Sequence, residues 1–80
     1  MNLIESIRPG DVLVVDGAYD QLERRHLQET LEVVTWGGDR QTLYCRSLGT
    51  GRLHRYQVRE LASRLRVLKR GQIVYEVTDV

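Results

Sequence analysis

The sequence predicts a mainly β fold, a small barrel of five to six short strands with one short helical turn. Three observations carry that reading. Short β-branched and aromatic runs recur at intervals of about ten residues. Glycine turns separate most of them, at Gly10, Gly17, Gly37-Gly38, Gly49, Gly51 and Gly71. Several runs alternate apolar and polar residues, the period of a half-buried strand. The 80 residues read as a single domain, 1–80. A chain of this size buries roughly 60–65% of its unfolded surface, too little to enclose a deep substrate pocket in one subunit. Closure into a barrel is expected because it removes exposed strand edges.

Taken in order, Leu3, Ile4 and Ile7 fit one face of a helical turn covering the edge of a core. Pro9-Gly10-Asp11 is a turn signal, since Pro fixes φ and Gly admits unusual backbone angles. Residues 12–15, Val-Leu-Val-Val, form the first strand, and Asp16-Gly17 reads as its end. The next segment supports two readings. Residues 18–32 are rich in helix formers, and Asp20 with Glu23 has the spacing of a capping box. The α+β alternative therefore carries a helix over about residues 19–31. Leu27, Glu29, Leu31, Val33 and Thr35 alternate with their neighbours, which favours a loop or single helical turn over 17–25 and a strand over about 27–36.

Gly37-Gly38-Asp39-Arg40 turns the chain into a strand over 41–48. Its Leu43 and Cys45 face one way and Thr42, Tyr44 and Arg46 the other. After Gly49-Thr50-Gly51, a strand over 53–58 sets His54, Tyr56 and Val58 against Leu53, Arg55 and Gln57. Residues 59–63 read as one 3₁₀ or α turn. A short strand follows, with Leu65 and Val67 inward and Arg64 and Arg66 outward. A turn at 69–71 leads to the last strand, where Ile73, Tyr75 and Val77 share a face.

Two stretches carry a resemblance. Pro9-Gly10-Asp11-Val12-Leu13-Val14-Val15-Asp16-Gly17 resembles the first strand and loop of SH3-like small barrels, including KOW and Tudor-type modules. Arg52-Leu53-His54-Arg55-Tyr56-Gln57-Val58-Arg59-Glu60-Leu61 looks like the end of such barrels, a strand after a tight hairpin and then a 3₁₀ turn before the final strand. The resemblance spans about residues 9–68 and is one of layout. Residues 18–26 lack the glycine-rich centre of a KOW motif, and 71–80 add a strand beyond the usual end. The resemblance implies a fold but no activity, because small barrels serve many functions.

Charge is segregated. Residues 40–70 hold nine of the twelve Lys and Arg residues and a single acid, Glu60, whereas residues 1–39 hold three bases and eight acids. The net charge of +1 averages two opposed segments. Eleven of the twelve bases are Arg, whose planar fork suits carboxylates and phosphates. Cys45 is the one cysteine, so no intrachain disulfide forms. The first eleven residues are too short and too acidic for a signal peptide, and no apolar run reaches the roughly 18 residues of a membrane span. The expected location is the cytoplasm, with no membrane contact.

The candidate binding surface comprises Arg46, Arg52, Arg55, Arg59 and Arg66, with Tyr44, Tyr56 and Trp36 as aromatic anchors. A protein partner is the first expectation. RNA or single-stranded DNA is the alternative, since small barrels that bind single strands combine cationic grooves with stacking aromatics. The isoelectric point of 7.9 is low for that class. The opposed charges also suit a homo-oligomer built head to tail; pairing of the Arg residues with acids of residues 11–39 is the competing reading.

Catalytic, metal and cofactor sites are not expected. His26, His54 and Cys45 lack zinc-ligand spacing. Cys45 alternates with Leu43 and reads as a small buried residue. Placed cross-strand from His54, it would form a Cys–His pair without a third orienting group. Asp11, Asp16 and Asp20 flank turns, where Asp bonds backbone amides. Gly49-Thr50-Gly51 lacks the rest of a phosphate loop. The expected function is a non-enzymatic binding or adaptor module. A small oligomeric enzyme with a site at a subunit interface ranks third.

Overall fold

The computed structural model describes residues 3–77. A 3₁₀ turn, Leu3–Ser6, precedes strands β1 (Val12–Asp20), β2 (Arg25–Trp36), β3 (Thr42–Ser47), β4 (Leu53–Gln57), β5 (Leu65–Arg70) and β6 (Ile73–Glu76), and a single short helix, α1 (Val58–Arg64), lies between β4 and β5. The strands form one antiparallel sheet in the order β4-β3-β2-β1-β5-β6. The mainly β class, the strand number and the one helical turn are as the sequence predicts. The sheet is not closed into a barrel: α1 carries the chain from β4 to β5, and β4 and β6 remain as its edges.

One face of the sheet makes the core, because successive strand residues point to opposite sides. Leu13 pairs with Leu31 and with Leu68, and Val33 pairs with Cys45, so the inward residues of adjacent strands share a layer. Val15, Leu43, Leu61 and Leu65 complete it, and Ile4 and Ile7 close one end. The Leu3–Ser6 turn therefore covers the core edge as expected.

Three local expectations are overturned. No helix occupies residues 19–31, and the loop placed over 17–25 shrinks to a turn at residues 21–24, because β1 continues to Asp20 and β2 starts at Arg25. Asp16-Gly17 does not end β1. The β1–β2 register shifts between Asp16 and Tyr19, a bulge that carries the strand onward. Gly17 is required there, since a Cβ would lie 2.9 Å from the Leu27 carbonyl oxygen. The capping chemistry inferred for Asp20 exists, but on the hairpin turn: its Oδ1 accepts from the Leu22 and Glu23 amides at 2.8 and 3.3 Å. Val67 is the third correction. Val14 pairs with Val67 and Val15 with Leu65, which leaves Arg66 as the extra residue of a bulge. The inward pair is thus Leu65 and Leu68, with Val67 on the outer face.

Asp11 is the one buried charged residue among those described, 2% exposed. Arg70 meets it through Nε to Oδ1 at 3.0 Å and Nη2 to Oδ2 at 2.8 Å, and Nη2 also donates to the Ser6 carbonyl at 2.6 Å. The Arg8 amide donates to Oδ2 at 2.9 Å. Burial pushes the Asp11 carboxyl up, but the Arg70 bonds, the Arg8 amide and the charges of Arg70 and Arg8 together outweigh it. The net effect holds the carboxyl below its ordinary 3.8.

A depressed folded-state pKa stabilises the fold fully above the unfolded value and stops doing so as pH falls through the folded one. Replacing Asp11 by Asn leaves the Arg70 guanidinium facing a neutral amide and should lower stability at pH 7 by about 1.5–3 kcal/mol, the scale of hydrogen bonds to charged groups. Below pH 3.8 the native protein loses this contribution and the variant has none to lose. Urea denaturation at pH 7 and at about pH 3 should therefore show the gap between the two proteins narrowing in acid.

Candidate functional site on the β3–β4 hairpin

The β3–β4 register sorts the basic stretch by face. Tyr44 pairs with Arg55, Arg46 with Leu53 and Thr42 with Gln57, all on the side away from the core. Leu43 pairs with Tyr56 and Cys45 with His54 on the inward side. The outer face of the hairpin thus brings together Tyr44, Arg46, Leu53 and Arg55. Arg52 stands exposed at the residue before β4, and Arg59 is exposed in the first turn of α1. Arg46 is held over the turn by its Nη1 donating to the Gly51 carbonyl at 3.2 Å. In β2, Glu32 lies opposite Arg46 and Thr35 opposite Tyr44, so the face continues inward on the sheet.

Neutralisation is selective. Arg70 pairs with Asp11 at 2.8 Å, Arg66 with Asp16 at 2.8 Å, and Arg64 with Glu60 at 3.0 Å and Glu29 at 3.8 Å. Among the described residues, these three are the Arg residues of the 40–70 stretch whose charges meet acids of the first half of the chain. Among the described residues, no carboxylate lies within ion-pairing distance of Arg52, Arg55 or Arg59.

The remaining residues of the expected surface lie elsewhere. Arg66 is turned to Asp16 at the β5 bulge. Tyr56 is half-buried on the inward face, and burial, followed by the Glu29 charge, pushes its phenol up. Trp36 lies opposite Leu43 and packs against the core, with Nε1 donating to the Ile7 carbonyl at 2.8 Å. Arg40 lies over its ring, 4.2 Å from the centroid, in cation–π geometry. Trp36 covers one end of the core and joins the N-terminal turn to the sheet.

A shallow notch of about 590 Å³ at the hairpin's other end is lined by residues that include Arg40, Thr42, Gln57 and Arg59. Arg40 was absent from the surface inferred from sequence. The signal for it was the Gly-Gly-Asp-Arg turn, in which Arg40 adopts φ of 60° and stands clear of the strand.

Cys45 and His54 are cross-strand partners, as the hairpin spacing suggested. Cys45 is fully buried, and burial pushes its thiol up to about 11, so it stays protonated at neutral pH. Among the described residues, no group of three or more His, Cys, Asp and Glu side chains is placed to hold a metal ion. No helix is long and apolar enough to cross a membrane.

Fold and surface define a class: a small open antiparallel β module with a cationic hairpin at one edge. No family model, no curated protein and no solved structure matches the chain.

The burial of Cys45 should be visible in its chemistry. Iodoacetamide at pH 7.5 should leave it unmodified in the native protein and label it rapidly in denaturant, as followed by intact mass. Labelling of the native protein at the rate of a free cysteine would mean that β3 is not packed as described.

Proposed function

We propose that this protein is a non-enzymatic binding module that docks onto a protein partner through the outer face and free edge of the β3–β4 hairpin. The partner segment is acidic. The observation that carries this reading is the set of unneutralised guanidinium groups at Arg55 in β4, Arg52 just before it and Arg59 just after it in α1, beside a strand that has no neighbour on its outer side among the described residues. An extended segment can add to such an edge through main-chain hydrogen bonds, while its side chains select by charge. Arg favours carboxylate partners because its fork binds them in bidentate fashion.

The strand order supports the SH3-like layout as the scaffold. β1 to β4 form a meander, α1 turns the chain, and β5 returns to lie beside β1. A lone free thiol suits the reducing cytoplasm. Nucleic acid is the weaker fit. Stacking of bases needs exposed aromatic faces, whereas Tyr56 and Trp36 are turned to the core and only Tyr44 joins the Arg residues on the outer face.

Fluorescence anisotropy with a labelled Glu- and Asp-rich peptide, and with a single-stranded oligonucleotide of equal charge, tests the reading. The peptide should bind and weaken as salt rises. Arg55→Glu combined with Arg59→Glu should cost about tenfold or more in affinity without altering the circular dichroism spectrum. Tighter binding of the oligonucleotide at matched salt would transfer the site to nucleic acid.

A further inference from the structure

The opposite edge of the sheet has a different chemistry. β6 pairs with β5 on one side, and among the described residues no strand lies on its other side. All four of its residues are exposed. Ile73, Val74 and Tyr75 are 55%, 53% and 38% exposed, and the strand carries no charge before Glu76. Natural edges are usually guarded by Lys, Pro, a bulge or a covering element. β4 follows that rule with Arg55, whereas β6, although only four residues long, carries no Lys, Pro or bulge and no covering element among the described residues.

The ladder shows which backbone groups of β6 are unpaired. The Val77 amide donates to the Arg66 carbonyl at 2.8 Å. Antiparallel pairs alternate between hydrogen-bonded and non-hydrogen-bonded, so with Val67 opposite Glu76 and Lys69 opposite Val74, the N–H and C=O of Val74 and Glu76 point away from β5. Those groups are free to bond a further strand.

We propose that this edge binds a second copy of the chain, β6 against β6, about a two-fold axis through Val74. In that register Val74 faces Val74 of the second copy and the two exchange a pair of main-chain hydrogen bonds. Ile73 faces Tyr75 of the second copy on both sides of the axis, so every exposed apolar residue meets an apolar one. Gln72 faces Glu76 of the second copy, an amide donor against a carboxylate. No charge meets its own kind. A strand that complements itself in residue type and in backbone parity is what an isologous interface requires. An acidic partner, by contrast, finds no cation on β6 to bind. The result is a continuous twelve-stranded sheet with a β4 edge at each end. The inference is independent of what binds at β4.

The interface is small and belongs to the weak class. Light scattering and sedimentation should show a molar mass near 9.3 kDa when dilute, rising toward twice that value between about 1 and 500 µM. Val74→Pro removes an outward amide without removing a β5 bond, a position where edge strands tolerate Pro. Val74→Lys sets two like charges across the axis and alters only a half-exposed side chain. Both variants should remain monomeric over the same range with unchanged circular dichroism. Arg55→Glu with Arg59→Glu should dimerise like the native chain, which separates this result from any outcome at the docking surface. A native chain that stays at 9.3 kDa throughout overturns the proposal. So does a dimer that survives Val74→Lys, or a mass that climbs past twice the monomer, the sign of head-to-tail growth.

Discussion

The Asp11–Arg70 ion pair is the constraint on which the rest of the architecture depends. Its partners are 59 residues apart in the chain, and its carboxylate is almost wholly removed from water. A buried carboxylate without its cation costs several kcal/mol, so the pair strongly selects conformations in which the end of β5 lies against the start of β1. The same two residues gather the N-terminal segment, through the Arg8 amide and the Ser6 carbonyl. The Asp11 backbone in turn accepts from the Val33 amide at 2.8 Å. One side-chain contact therefore joins the N-terminal turn, β1, β2 and β5. Once β5 is seated on β1, β4 and β6 are left as the two edges.

How much of this was legible follows from which features are local. The inward and outward sets of β3 and β4 could be read directly from alternation, and so could the turns around them. Asp20 was legible as a donor-satisfying side chain, but its role was assigned to a helix because a capping box and an Asx-capped hairpin turn present the same spacing. The three register shifts were not legible, including the one in β2 between Val33 and Thr35 that turns Thr35 outward and Trp36 inward. At Gly17 the glycine reads equally well as a strand end, and only the approach of the Leu27 carbonyl shows why the strand continues. At Arg66 nothing local announces an extra residue, and the slip of one position transferred the inward role from Val67 to Leu68. Open or closed topology was hidden for another reason, since it depends on where α1 places β5, a tertiary outcome.

The basic stretch shows the same division. Counting charges identified the segment 40–70, yet charge counting cannot separate structural cations from available ones. That separation follows from position relative to β1. Arg64, Arg66 and Arg70 flank or belong to the strand beside β1, within reach of Asp11, Asp16 and Glu29. Arg52 and Arg55 lie at the β4 edge of the sheet and Arg59 in the first turn of α1 beside it, where no described carboxylate comes within ion-pairing distance. Opposed charge segments in the sequence thus become an internal clamp at one side and an unneutralised surface at the other. The aromatic residues divide in parallel. Trp36 and Tyr56 are drawn inward because a core without Phe needs large side chains to cover its ends.

An open sheet of this kind has to manage two edges, and here they differ in chemistry. The β4 edge is protected from self-pairing by its own charge: two copies meeting there would set Arg55 and its neighbours against one another. The β6 edge has no such protection, and its self-complementary residues favour a like strand over a foreign one. If both proposed contacts operate, they cooperate without touching. Joining two chains at β6 places the two cationic edges about eleven inter-strand spacings apart, roughly 50 Å at about 4.8 Å each. A partner carrying two acidic segments on a linker able to span that distance then binds the second site intramolecularly, and avidity exceeds the affinity of either site. Weak dimerisation becomes useful in that setting, because a bivalent partner itself raises the local concentration of the chain and stabilises the β6 contact.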